Sequence, residues 1–259
     1  MLLQEPQRTP YDLDFRLLGF PVRVHPGFFL LPVLFGGGWA RGAEINAGLI
    51  VLIFVLVFFV SILVHEMGHA VAFRRYGIQS RIVLYWLGGL AIPEAGWGRR
   101  PGLGAGQQIL VSAAGPAAGF LLAALLCLSV LGLGGQLSTT MNGIMPVVIT
   151  DLRETALQGN QAMFLFFQIS IYCNIFWNIL NLAPVVPLDG GKISTELFQH
   201  FNRHQGVRNA LLLSAVAAGL IAVAGFASDS MFLGLFFAIL GISSYLTLQQ
   251  MSRFGGGGF

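Results

Sequence analysis

Long uncharged apolar runs, each closed by a cluster of polar or turn-forming residues, dominate this chain. Ile45 to Val64 carries no charge, and LIVLIFVLVFFV from Leu49 to Val60 is apolar throughout. Twenty apolar residues rising about 1.5 Å each match the roughly 30 Å hydrocarbon core of a bilayer. The pattern predicts about six transmembrane helices, near 26–40, 45–73, 108–133, 161–183, 209–227 and 230–248. The first is short and broken by Pro32 and Gly36–Gly38; the third contains Gly115, Pro116 and Gly119. Residues 1–24 are polar, and Glu5, Asp12 and Asp14 precede any apolar run. They read as a segment outside the bilayer and not as a cleavable signal peptide. The tail 249–259 ends in four glycines and Phe259 and is expected to be flexible. Neither a repeat nor a soluble insertion is visible, so residues 1–259 read as one polytopic, all-α membrane domain.

Composition agrees, with 10% charged residues against roughly 25% in soluble domains. The net charge of +3 is spread between spans and forms no tract, so no nucleic-acid partner is expected. Its distribution orients the helices instead. With the N-terminus, the 74–107 and 184–208 loops and the C-terminus on one side, that side holds 12 of 14 basic residues. These are Arg8, Arg16, Arg23, Arg74, Arg75, Arg81, Arg99, Arg100, Lys192, Arg203, Arg208 and Arg253; only Arg41 and Arg153 lie opposite. The positive-inside rule then puts both termini in the cytoplasm. The expected location is a cell membrane, the inner one if the source is bacterial.

The second span ends in HEMGH, residues His65 to His69. On a helix, positions i and i+4 share a face, so both histidines can reach one metal ion. Neutral imidazoles suit zinc, and Glu66 is placed to act as general base on a water. Ionisable residues at membrane depth are costly, which makes function their default explanation. Two core histidines bonding to neighbours would be the bland alternative, but histidine is scarce here, 5 of 259.

A third ligand has few sources. Glu5, Asp12, Asp14, Glu44, Asp151, Glu154 and Asp229 read as solvated. Glu94 and Glu196 are weak candidates in cytoplasmic segments. Asp189 stands apart in NLAPVVPLDGG, Asn181 to Gly191, where the fourth span returns to the depth of HEMGH. Pro184 and Pro187 stop the helix there, and Gly190–Gly191 permit a tight turn behind the carboxylate. A simple turn aspartate is the competing reading.

HExxH in one span and N-x-x-P-x-x-x-L-D-G in a later one resemble the site-2 protease family of intramembrane zinc metalloproteases. The second motif is carried by Asn181, Pro184, Leu188, Asp189 and Gly190. YWLGGLA (Tyr85 to Ala91) is similar to the family's membrane-dipping hairpin, and SAAGPAAG (Ser112 to Gly119) to its next span. GFPVRVHPGFFL (Gly19 to Leu30) resembles the lead-in to the first span of compact bacterial members, the branch that includes sporulation-factor processing proteases. The resemblance implies one zinc per chain held by His65, His69 and Asp189, with Glu66 as base. It also implies a transmembrane or juxtamembrane segment of a membrane protein as substrate, in contact with the lipid bilayer. One departure is Gly119, where many members have asparagine. No PDZ-like insertion or CBS-like pair is visible.

Asn174, Asn178 and Asn181 form one helical stripe. Asn181, with Asn174 second, is expected to hydrogen-bond the scissile peptide or its oxyanion. Interhelical hydrogen bonding is the alternative, and it suits Asn178 best. Residues 81–91 are too short to span and rich in β-formers, so a short β-hairpin after the second span is expected, its edge open to an unwound substrate strand. His25 reads as an interfacial anchor rather than a gate. Cys127 and Cys173 read as small core hydrophobes. Two other functions stay in view: a membrane HExxH protease with Glu94 or Glu196 as third ligand, and a zinc-binding scaffold or transporter without proteolysis.

Overall fold

Alternation of apolar and polar residues in LDFRL and FPVRV gives two antiparallel strands, β1 (Leu13–Leu17) and β2 (Phe20–Val24). Leu18 and Gly19, both at positive φ, close the turn between them. In this computed structural model the described residues are 5–40, 45–86, 88–94, 102–142, 145–153, 155 and 157–255. Arg41, Glu44, Arg99, Arg100, Glu154, Leu87 of the hairpin and the tail residues 256–259 lie outside them.

The chain forms two compact units. The first comprises Met1–Arg100 and Ala117–Asn178. After β2, a 3-10 turn (Pro26–Phe29) leads into α1 (Leu30–Trp39). His25 caps that turn, its Nδ1 accepting from the Gly27 N–H at 3.0 Å. The long apolar run forms α2 (Ala47–Arg75), capped by Asn46, whose Oδ1 accepts from Gly48 and Leu49 N–H. Arg74 and Arg75 occupy its last turn, where cations favour the helix dipole. α1 packs on α2 at Gly36, where a Cβ would lie 2.9 Å from the Val51 Cα.

β3 (Ser80–Tyr85) and β4 (Gly88–Pro93) form the expected hairpin, but it is only half of a sheet. β2 pairs with β3 in parallel, giving the order β1-β2-β3-β4. Phe20, Val22, Val24, Ile82 and Leu84 bury one face of this sheet against Ile62, Leu63, Met67 and Ala70 of α2. The N-terminal segment is thus built into the support of the HEMGH end of the helix. Ion pairs tie it down: Glu5 bridges Arg23 at 3.1 Å and Arg81 at 2.7 Å, and Asp12 meets Arg23 at 3.1 Å. α3 (Ala105–Gly132) precedes a second antiparallel hairpin, β5 (Gln136–Asn142) and β6 (Met145–Asp151), in a stretch where the sequence suggested only a loop. Gln168 of α4 (Gln161–Asn181) pins that hairpin, accepting from the Thr150 N–H and donating to the Val148 carbonyl. Cys173 is buried and Cys127 half-buried; both are free thiols, as small core residues should be.

The second unit comprises Pro101–Pro116 and Ile179–Phe259. It contains an unanticipated amphipathic helix, α5 (Asp189–Phe201), followed by α6 (Gly206–Ala227) and α7 (Met231–Gly255). α6 and α7 meet at Gly225, where a Cβ would lie 2.7 Å from the Gly234 nitrogen. α7 runs on to Gly255, so residues 249–255 of the expected flexible tail are helical.

Among the described residues five helices are long and apolar enough to cross a membrane: α2, α3, α4, α6 and α7. The expected first span is a shorter apolar helix, Pro26–Trp39. At ten residues α1 covers about 15 Å, half the hydrocarbon thickness. The architecture is that of an integral membrane protein, mostly helical with a small sheet.

Candidate metal centre

His65, Glu66 and His69 lie in the last third of α2, buried at 2%, 5% and 6% exposure. One helical turn separates the histidines, and their Nε2 atoms converge to 3.2 Å. The rings stand edge to face, centroids 4.9 Å apart. On the far side of the His65 ring, Nδ1 lies 2.7 Å from Oδ1 of buried Asn178. The Asn178 Nδ2 is engaged by the Asn174 carbonyl one turn earlier. Asn174 in turn donates to Ser61 Oγ at 2.8 Å and to the Ser170 carbonyl at 2.9 Å. Asn174 is therefore a helix-to-helix tie, and Asn178 bonds the first histidine of the motif. Sequence spacing placed all three asparagines on one stripe but held no sign of which one faces His65.

Glu66 rests against β4. A Cβ on Gly89 would lie 2.7 Å from the Glu66 Cδ and Oε1, so only glycine passes there. Gly88, at φ +123°, meets the Trp177 ring, with a Cβ 2.9 Å from its Cζ2. The glycine pair that suggests a hairpin turn thus also makes room for the base and a tryptophan. Tyr85 is buried nearby; burial first, and the Glu66 carboxylate second, push its phenol up to about 12. It stays neutral at any physiological pH.

In the second unit Asp189 opens α5 and is 3% exposed. Lys192, one turn on, donates to its Oδ1 at 2.9 Å. Gly190 and Gly191 have helical backbone and are not the tight turn expected of them. Their role is close approach: a Cβ on Gly191 would lie 2.5 Å from the Val185 carbonyl oxygen, and one on Gly190 would strike the Leu182 and Ala183 carbonyls. The loop ahead of Asp189 is held by the Val186 N–H, which donates to Ser214 Oγ at 2.9 Å; Ser214 in turn bonds Ser244 at 2.7 Å. Asn181 is the last residue of α4 and half-buried. Glu94 is exposed and Glu196 half-buried.

The sequence profile of peptidase family M50 matches residues 53–225, from α2 through α6. The chain belongs to peptidase family M50. This bears out the resemblance to site-2 proteases. Relatives of this M50 chain include a zinc metalloprotease of Methanocaldococcus jannaschii, 24% identical over 69% of this chain and 43% of its own length. A candidate zinc metalloprotease of Synechocystis is 28% identical over 78% of this chain and 48% of its own length. The M50 chain thus spans less than half of these curated relatives. Its fold is shared with the solved Site-2 Protease from Methanocaldococcus jannaschii, at TM-score 0.56 and 19% identity, over 92% of this chain and 95% of that one.

Proposed function

We propose that this chain is an intramembrane zinc endopeptidase that hydrolyses a peptide bond in a transmembrane or juxtamembrane segment of another membrane protein. The observation that carries the reading is the buried convergence of two imidazole Nε2 atoms beside a buried glutamate on a membrane-spanning helix. Two nitrogens bound tetrahedrally at about 2.0–2.1 Å stand about 3.3 Å apart, so the 3.2 Å separation fits zinc. With Asp189 as third ligand, His65 and His69 complete the two-histidine, one-carboxylate set of hydrolytic zinc sites, which keeps a fourth position for water or substrate. The names of the M50 relatives support the same cofactor.

Bound zinc supplies Lewis acidity, polarising a carbonyl and making water nucleophilic near neutral pH. Glu66 takes the proton released as the C–O bond forms and passes it to the departing amine as the C–N bond breaks. Asn181 donates its amide to the substrate backbone at the developing oxyanion. Among the described residues β4 is the edge strand of its sheet, and that edge offers backbone groups to a substrate helix that has unwound. The bias of basic residues, with β2 and β3 packed at the HEMGH end of α2, supports a cytoplasmic position for that end and for the N-terminal segment, a cell-membrane location and release of product on the cytoplasmic side.

Glu66→Gln, which keeps shape but accepts no proton, is expected to retain stoichiometric zinc and lose cleavage of a membrane substrate that the wild type cuts. Asp189→Ala is expected to lose zinc and cleavage together, whereas Glu94→Ala and Glu196→Ala keep both. Cleavage by Glu66→Gln above a few per cent of the wild-type rate, more than remains after losing a general base worth about 10²–10⁴-fold, removes Glu66 from this role. Zinc lost from either glutamate variant but kept by Asp189→Ala favours a different third ligand.

A further inference from the structure

We propose that Asn178 is a positioning residue of the metal centre, setting the tautomer and orientation of His65, and that residue 119 is glycine to admit the Asn178 amide. The inference rests on His65 being a zinc ligand, as argued above.

The amide orientation is fixed by its own bonds. Asn178 Nδ2 donates to the Asn174 carbonyl, so Oδ1 is the atom that faces His65 Nδ1 at 2.7 Å. An acceptor at that position puts the imidazole proton on Nδ1 and leaves the Nε2 lone pair directed towards His69 Nε2. Both residues are almost wholly buried, at 1% and 2% exposure, so water cannot replace the bond. Removing the acceptor strands a buried N–H or lets the ring flip its proton to the nitrogen that must bind metal. Partners of this kind orient ligating histidines, and losing one weakens metal affinity by about 10–100-fold.

α3 passes against this amide at Gly119. A Cβ there would lie 2.6 Å from the Asn178 Cγ and Oδ1. No side chain fits at 119 while Asn178 holds its place. The overlap also has a constructive consequence. The Cβ-to-Oδ1 distance within an asparagine is about 2.4 Å from its bond lengths, and the position 119 Cβ would lie 2.6 Å from the present Oδ1. An asparagine at 119 can therefore deliver its oxygen to the point Asn178 Oδ1 now occupies, provided position 178 is cleared. In this chain the acceptor at that point is supplied from α4.

The test is zinc affinity of the purified full-length protein, read by competition with a chromophoric chelator, alongside cleavage rate. Asn178→Ala is expected to bind zinc about 10–100-fold more weakly, and Gly119→Asn/Asn178→Ala to return to within about threefold of wild type. Gly119→Ala/Asn178→Ala fills the space without an acceptor and is expected to stay weak. Gly119→Asn alone, which crowds Asn178, is expected to bind more weakly than wild type. Wild-type affinity in Asn178→Ala, or equal recovery by the alanine pair, overturns the proposal. If Asn178→Ala does not fold, the asparagine pair decides alone: wild-type affinity supports the proposal and weak binding overturns it. His65→Ala run in parallel separates the two claims. Zinc retained by His65→Ala sinks the ligand assignment, whereas zinc lost there but kept by Asn178→Ala sinks only the positioning role.

Discussion

At Gly89 the backbone of β4 passes so close to Glu66 that a methyl group would press on the carboxylate. Gly89→Ala must therefore move Glu66 while leaving His65 and His69 on their shared face of α2. We expect zinc content to remain at wild type and cleavage to fall by about 100-fold, the usual effect of misplacing a reacting group by an ångström. Zinc assay and cleavage rate on the same preparation check this; a wild-type rate would show that Glu66 has room to spare. HEMGH was legible in the sequence because i,i+4 spacing is a local property of one helix. Glu66 against Gly89 and His65 against Asn178 were not, because their partners are set by how α2, β4 and α4 pack.

The long helices were legible as elements because membrane depth writes itself into twenty-residue apolar runs. The strands β1 and β2 were not, since five-residue strands carrying Arg16 and Arg23 look like a polar leader until their period of two is read against a partner. α5 was hidden too, its short amphipathic pattern lying in what composition marks as a loop. Beyond α5, α6 and α7 serve the loop before Asp189 through Ser214, which is fully buried and accepts the Val186 N–H. Ser214→Ala leaves that N–H unpaired at a cost of about 1–3 kcal/mol. It is expected to lower both thermal stability and zinc affinity, and to do so more than Ser244→Ala, which keeps the Val186 bond. Melting curves and chelator competition compare the two; equal effects would mean that the loop is held by other contacts.

At the scale of the whole molecule, the described residues include five helices long and apolar enough to cross a membrane and a four-stranded sheet packed on the HEMGH end of α2, in a fold shared with a site-2 protease. The chain's match to the curated M50 relatives covers 43% and 48% of their own lengths. The central claim is hydrolysis inside the membrane, near the cytoplasmic boundary, by Glu66 and a zinc ion. His65 lies eighteen residues beyond the start of α2, about 27 Å along it, close to one hydrocarbon thickness. The most direct test is the intact mass of the fragments produced when the purified protein and a single-span substrate share a lipid vesicle. The account predicts new termini within the cytoplasmic half of the substrate's apolar span with the wild type, and none with Glu66→Gln. Fragments ending only in the substrate's water-exposed flanks, or the same fragments from Glu66→Gln, would contradict it.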